Sequence, residues 1–170
     1  MRLTMTNRSL RMRRGLPVVL LLSLLTGAGC AQAAGVTPAD TQAVRALFLQ
    51  QTTAETAHDL HALSGMFAST APGQPDAVSF VARAYRFWGR DEVLEHFRQT
   101  FAGTWRVEPD RSALRIIPLN QDTVQVYAPT KVTIGAPGQP EKTATFLINE
   151  FMIRSPSGWK VAAVIPVPAQ

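Results

Sequence analysis

Two histidines and an aspartate stand close together in the chain, in the order His58, Asp59 and His61. If this segment is helical, residues 58 and 61 share a face, and two imidazoles so placed could begin a zinc site. A complete site needs further ligands, but the only other histidine is His96 and the only cysteine is Cys30. The sequence therefore predicts no metal site. His61 and Asp59 are left as weak candidates for acid–base catalysis, and Asp59 also suits a helix cap.

Aromatic side chains form a second group with chemical potential. Pockets for apolar molecules are typically lined by such rings, together with a few placed polar groups. Packing in the protein core is the competing explanation for each ring taken singly. On the pocket interpretation, the predicted ligand-binding rings are Tyr85, Trp88 and Tyr127.

Several common classes of function have no support in the sequence. It contains no G-x-S-x-G, no H-E-x-x-H, no phosphate loop and no dinucleotide fingerprint, so we predict no cofactor. The chain has 17 basic and 12 acidic residues, but five of the basic ones and none of the acidic ones precede residue 34. The remainder is electrically balanced, which argues against nucleic acid as a partner.

The first 33 residues have the pattern of a signal peptide. Arginines precede an apolar run over residues 16–25, which is too short to span a bilayer, and small residues follow it. Cleavage is expected either after Ala33 or, because residues 27–30 resemble a bacterial lipobox, before Cys30. We therefore expect an exported protein, periplasmic or secreted, or an outer-membrane lipoprotein. Contact with a membrane is expected only through this leader or through a lipid on Cys30.

Residues 34–170 read as a single domain without repeats. The segment Thr37-Pro38-Ala39-Asp40 is typical of a helix start, and further helices are expected after Asp59 and after Gly89. Alternation and turn residues predict strands over residues 77–88, 104–119, 123–134, 142–153 and 159–167. Helices followed by an antiparallel meander indicate an α+β domain, with about three helices packed on one face of a curved sheet.

The segment 142–153 is largely apolar at both its odd and its even positions. An antiparallel strand with one solvated face should alternate apolar and polar residues. Both faces of this strand are therefore expected to be covered, one by the domain interior and the other by a second protomer. This predicts a homodimer through the outer face of the sheet.

The element order resembles the nuclear transport factor 2-like superfamily. The resemblance is carried by residues 57–63 (AHDLHAL), 89–93 (GRDEV) and 158–163 (GWKVAA), and it is greatest to the SnoaL-like and SgcJ/EcaC-like bacterial branch. It implies a cone-shaped fold with a ligand between the helices and the concave face of the sheet. Such folds serve cyclases, ketosteroid isomerases, dehydratases, binding proteins and oligomerisation modules.

The resemblance also implies which positions of this chain correspond to the catalytic residues of a ketosteroid isomerase. The proton-abstracting residue of a ketosteroid isomerase falls at residues 79–81, where no side chain can act as a base. Its oxyanion-binding acid falls on Asn149, which could still donate a hydrogen bond to a ligand oxygen. Asn149, and Phe151 two residues later, thus join the predicted ligand-binding set.

Three functions remain open on the sequence. The leading hypothesis is a pocket that binds a small apolar or aromatic molecule with little or no catalysis. The second is a SnoaL-like cyclase, isomerase or dehydratase that uses His61 or Asp59 as a base from the helical wall. The third is a dimeric interaction module whose cone is filled by its own side chains.

The third helix is expected to turn Glu92, Glu95 and His96 towards solvent.

Overall fold

The computed structural model describes residues 35–83 and 85–170. The predicted leader, both cleavage sites and the lipidation of Cys30 lie outside the described residues and stay predictions. In the described ranges, no helix is long and apolar enough to cross a membrane.

Three helices form at the predicted starts. Helix α1 spans Pro38–Thr56 and begins with a capping box, in which Thr37 and Asp40 exchange side-chain and backbone hydrogen bonds. Helix α2 spans Leu60–Met66, and the carboxylate of Asp59 accepts from the backbone N–H of Ala62. Helix α3 spans Arg90–Thr100. The local start signals in the sequence are therefore confirmed.

The described residues contain seven strands, two more than the sequence indicated. The segment 77–88 forms a hairpin of two short strands, and the segment 104–119 is divided where Asp110 accepts the backbone N–H groups of Ser112 and Ala113. Such side-chain turns replace ladder hydrogen bonds and so interrupt a strand. The strands are β1 Ser79–Ala82, β2 Tyr85–Trp88, β3 Thr104–Pro109, β4 Arg115–Asn120, β5 Thr123–Gly135, β6 Lys142–Ser155 and β7 Gly158–Pro168.

The strands form one curved sheet in the order β2-β1-β7-β6-β5-β3, with β4 also paired to β5. All neighbouring pairs are antiparallel except β1 and β7, which are parallel. The helices cover one face, so the predicted α+β fold is confirmed. On β5 the buried residues Val124, Val126 and Ala128 alternate with half-buried ones, which identifies the even-numbered positions as the inner face.

The N-terminus of α1 is tied to the far end of the sheet by Asp40. Its carboxylate accepts from Arg154 Nη1 at 2.7 Å and from Trp159 Nε1 at 3.1 Å. The Arg154 guanidinium also lies 4.6 Å from the centre of the Trp159 ring. The hydrogen bond from Arg154 is the main reason that the pKa of Asp40 is held well below its usual range. This contact orients α1 over the inner face of the sheet.

A close backbone approach fixes the start of β3. Gly103 lies between α3 and β3, and a Cβ at this position would collide with the carbonyl oxygen of Gly135 on the neighbouring strand. Only glycine fits here, and the turn places Trp105 two residues later.

We expect Gly103→Ala to lower the free energy of unfolding by about 1–3 kcal/mol, the usual cost of overpacking. Gly65→Ala is the matched control, because a Cβ at residue 65 meets no atom within 4 Å and alanine favours helix. Urea unfolding of both variants measures the difference. Equal stability of the two variants would show that the backbone at residue 103 yields without cost.

Candidate functional site

A cavity of about 300 Å³ lies between the helices and the inner face of the sheet. Its walls are largely apolar and include Phe48, Phe80, Trp105, Phe146, Ile148 and Val164. This volume lies at the lower end of the range for small-molecule sites. The interior is thus open, which does not fit the hypothesis of a cone filled by its own side chains.

One end of the cavity holds two buried carboxyl groups bridged by a single amide. Gln51 Nε2 donates to Glu55 Oε1 at 3.0 Å and to Glu150 Oε1 at 2.8 Å. Trp105 Nε1 donates to Glu55 Oε2 at 3.1 Å. Glu55 is 6% exposed, Glu150 is 2% exposed and Gln51 is fully buried. Both glutamates line the cavity, so a bound molecule would touch them.

Helix α1 and strand β6 bring these groups together. Gln51 and Glu55 are four residues apart on α1 and therefore lie on one helix face. Glu150 occupies an inward position of β6, between the inward residues Ile148 and Met152. The contact joins residues 99 positions apart in the chain.

Burial controls the charge of the pair. Loss of solvation raises the pKa of Glu55 to about 7, although hydrogen bonds from Gln51 and Trp105 oppose the rise. The pKa of Glu150 is raised well above its usual range, first by burial and then by the charge of Glu55. Near neutral pH Glu55 is therefore partly ionised, and burial favours the protonated form of Glu150.

Two buried polar atoms at this end have no hydrogen-bond partner among the described residues. They are Glu150 Oε2 and Gln51 Oε1. Buried polar atoms are normally paired, and an unpaired one costs about 1–3 kcal/mol. Atoms in this condition beside a cavity are suited to pair with a bound molecule.

His96 does not face solvent as the sequence analysis expected. Its ring lies against Phe87 and Phe80, with centroid separations of 4.4 and 4.8 Å, and it lines the cavity. Burial lowers the pKa of His96, which favours the neutral ring. Its Nε2 is buried and has no partner within the described ranges. The inward face of α3 is therefore wider than its amphipathic pattern indicated, and it includes His96.

The structure places only some of the predicted ligand-binding residues at the cavity. Tyr85 lines the cavity at its open side, where it is 58% exposed. Trp88 is 62% exposed and is not part of the lining. Tyr127, Asn149 and Phe151 lie at the odd-numbered positions of β5 and β6, on the outer face of the sheet.

The prediction that Asn149 lies in the pocket is therefore wrong. Its side chain accepts from Gln125 Nε2 and donates to the carbonyl oxygen of Leu147, all on β5 and β6. A shift of one residue along a strand reverses the face, so the inward polar residue is Glu150. The sequence signal for it was a glutamate within the apolar even-numbered set of 142–153.

His61 and Asp59 lie away from the cavity. Asp59 is exposed and caps α2. His61 is exposed in a separate open groove between α2 and α3. The helices do supply ionisable groups to the cavity, namely His96 of α3 and Glu55 of α1. The sequence analysis did not single out Glu55. Its spacing from Gln51 was the available signal.

A sequence profile of the SnoaL-like domain matches residues 44–164. The chain belongs to the SnoaL-like family. No match is found among the curated proteins. The SnoaL-like domain fills most of the described region, and its profile begins and ends inside α1 and β7.

Solved structures show the same fold. A protein described as a dehydratase of the nuclear transport factor 2-like family, from Streptomyces avermitilis, is 22% identical with a TM-score of 0.66, covering 78% of this chain and 99% of the other. A nuclear transport factor 2-like superfamily protein from Salmonella enterica is 14% identical with a TM-score of 0.67, covering 78% and 93%. A ketosteroid isomerase-like protein from Erwinia carotovora is 14% identical with a TM-score of 0.65, covering 79% and 99%. Because the identities are low, these structures establish the fold of the SnoaL-like domain alone.

The raised pKa of Glu55 predicts a pH-dependent stability. The unfolded chain releases this proton near pH 4.5, whereas the folded protein retains it until about pH 7. Protonation thus favours the folded state, and the free energy of unfolding falls as pH rises across this interval. At about 1.4 kcal/mol per pKa unit, the loss is about 3 kcal/mol.

Urea unfolding between pH 4.5 and 8 measures this loss, with Glu55→Gln compared against the wild type. The variant should show a weaker decline, whereas Glu108→Gln, at an exposed residue, should retain the wild-type decline. Glu150 contributes in the same direction and His96 in the opposite one, and both are present in all three proteins. An unchanged decline in Glu55→Gln would contradict the assignment.

Proposed function

We propose that this SnoaL-like domain is an enzyme that moves a proton within a small, mainly apolar substrate held in the cavity. The observation that carries this proposal is the pair of buried carboxyl groups that line the cavity and accept from the same amide of Gln51, and burial raises the pKa of both. Two carboxyls with separated pKa values supply an acid and a base in one site. The acid–base alternative of the sequence analysis is thus preferred to simple binding, with Glu55 and Glu150 in place of His61 and Asp59.

The roles follow from the two environments. Glu55 is ionised in a substantial fraction of molecules near pH 7 and serves as the base. Glu150 retains its proton, so its O–H group donates to a substrate oxygen on which negative charge develops. The apolar walls exclude water and keep the carboxylate of Glu55 weakly solvated.

This arrangement fits reactions that begin by removal of a proton beside a carbonyl or a leaving oxygen. Isomerisation, dehydration and cyclisation are of this kind. The solved structures described as a dehydratase and as ketosteroid isomerase-like support the same class of chemistry. The substrate must be small, because the cavity volume is about 300 Å³.

The proposal can be tested with 5-nitrobenzisoxazole, a substrate that reacts with a buried carboxylate base. In 5-nitrobenzisoxazole, Glu55 would remove the ring C–H proton, the C–H electron pair would form a nitrile, and the N–O bond would break to release a coloured phenolate. We expect Glu55→Gln to reduce this rate by about 10²–10⁴-fold, the usual contribution of a general base. The wild-type rate should rise with pH through about 7, following Glu55.

Glu108→Gln is the matched control and should retain the wild-type rate and pH profile. Binding of the substrate to each protein is measured separately by calorimetry. A wild type that binds 5-nitrobenzisoxazole but converts it no faster than Glu55→Gln would contradict the proposed proton transfer and favour simple ligand binding.

We also propose that the SnoaL-like domain forms a homodimer through the outer face of the sheet. Tyr127, Leu147, Phe151 and Ile165 lie on this face in neighbouring strands. A sheet face in contact with water is expected to be mainly polar, and a two-fold interface would cover these residues in both copies.

Phe151→Lys should shift the protein from dimer to monomer at micromolar concentration, as measured by light scattering, because it places a charge in the apolar contact. Gln74→Lys adds the same charge at an exposed turn and should leave the dimer intact. Met152 is unsuitable for this test, since it is fully buried on the inner face. A monomeric wild type would contradict the proposal.

A further inference from the structure

The two ends of the cavity differ in charge. The sheet pairs Glu150 with Val164, Val164 with Phe80, and Phe80 with Phe87 across four neighbouring strands. With about 4.8 Å between strands, β1 and β2 lie roughly 10–14 Å from Glu150. A molecule that spans the cavity thus meets the glutamates at one end and the β1–β2 hairpin at the other.

Arg83 is the cationic member of the lining at the hairpin end. Among the described residues that line the cavity, no other lysine or arginine is present. Within the described part of the chain, Arg83 forms no ion pair at 4.0 Å or less. The charge of this guanidinium is therefore not neutralised by a neighbouring carboxylate.

The backbone at Arg83 is unusual. Its φ is 32°, in a region that residues other than glycine rarely adopt. The two-residue turn between β1 and β2 accounts for this φ, because hairpin turns of this length have a positive φ at their first central residue. The turn places the charged side chain of Arg83 at the edge of a largely apolar cavity.

His96 adds a second polar group at the same end. Its Nε2 is buried without a partner among the described residues, and its ring stacks on Phe87 and, with a centroid separation of 6.2 Å, on Tyr85. A neutral imidazole can donate one hydrogen bond to an anionic oxygen. Arg83 and His96 together therefore provide a charge and a hydrogen-bond donor.

We propose that the substrate is an apolar carboxylic acid whose carboxylate binds Arg83 and His96, while its apolar body extends towards Glu55. This inference rests on the proposed function and adds the substrate class. The acidic end of the cavity repels the carboxylate, so the two ends together determine the direction in which the molecule binds. The reacting carbon then lies at the end remote from the acid group.

Three probes with one apolar body test the charge preference. They are 2-naphthoate, 2-naphthylmethanol and 2-naphthylmethylammonium, and calorimetry at pH 7.5 and low salt measures their dissociation constants. We expect 2-naphthoate to bind about fivefold more tightly than the alcohol, the range of a solvent-exposed ion pair. The preference should decrease with added salt, because an exposed pair is screened.

Arg83→Gln should remove the preference for 2-naphthoate and leave the binding of 2-naphthylmethanol unchanged. Arg86→Gln is the matched control, because Arg86 is also exposed in this hairpin but does not line the cavity. It should retain the preference.

Each other outcome overturns the inference in a distinct way. Tightest binding of the ammonium probe would assign the cavity to amines, and equal binding of the three would show that charge is not recognised. A preference that persists in Arg83→Gln would place the anion site elsewhere. Absence of binding by all three probes overturns this inference, whereas the proposed chemistry is decided separately by the conversion of 5-nitrobenzisoxazole. Binding of 5-nitrobenzisoxazole without conversion removes that chemistry but leaves the charge preference intact.

Discussion

Two carboxyl groups and one amide share a buried space at the end of an apolar cavity, and this contact constrains the rest of the protein. Glu55 and Glu150 each accept from Gln51 Nε2, yet the amide carries no charge with which to balance two carboxylates. Burial of an unpaired charge is so unfavourable that such groups retain a proton instead. The folded protein thus contains a proton donor and a potential proton acceptor a few ångströms apart, in a space that excludes most water.

The surrounding structure holds this arrangement in place at both ends of α1. At the start of the helix, Asp40 binds Arg154 and Trp159 on the β6–β7 hairpin. Towards its end, Trp105 from β3 donates to Glu55. These contacts limit how far the helix can rotate, so Gln51 and Glu55 stay directed at the sheet. An apolar pair in place of the glutamates would avoid the cost of burial, and retention of acids there is typical of sites where stability is exchanged for function.

A fold of this kind can host several chemistries, so the function of this chain depends on the residues of its cavity. The cavity of this chain lacks polar groups along most of its walls but has acidic groups at one end and Arg83 and His96 at the other. Such a distribution can recognise both the shape and the orientation of a small molecule. The outer face of the same sheet, with Tyr127 and Phe151, is separated from the cavity by the thickness of one strand layer. Binding and assembly can therefore be carried by alternate residues of the same strands.

The amino-acid sequence by itself determined the features that depend on neighbouring residues. The capping box of Thr37 and Asp40, the cap at Asp59 and the turns between the long strands each involve contacts within a few positions, and they led to the α+β fold and its family. Strand propensity alone does not separate β1 from β2 or β3 from β4, because the hairpin turn in the first case and the Asp110 turn in the second lie within stretches that favour strand throughout.

Only the tertiary structure decided which side chains face the cavity. Strand β6 is apolar on both faces, so alternation alone could not distinguish Asn149 from Glu150, and the packing of α1 against β6 selected the inner face. The amphipathic pattern of α3 likewise predicts His96 on the solvent side, and only the packing of α3 beside Phe87 turns it inward. The site depends on a contact between residues 51 and 150, and no local pattern encodes a contact across 99 positions. Long-range packing, rather than local propensity, determines which buried acids meet and how their pKa values are raised.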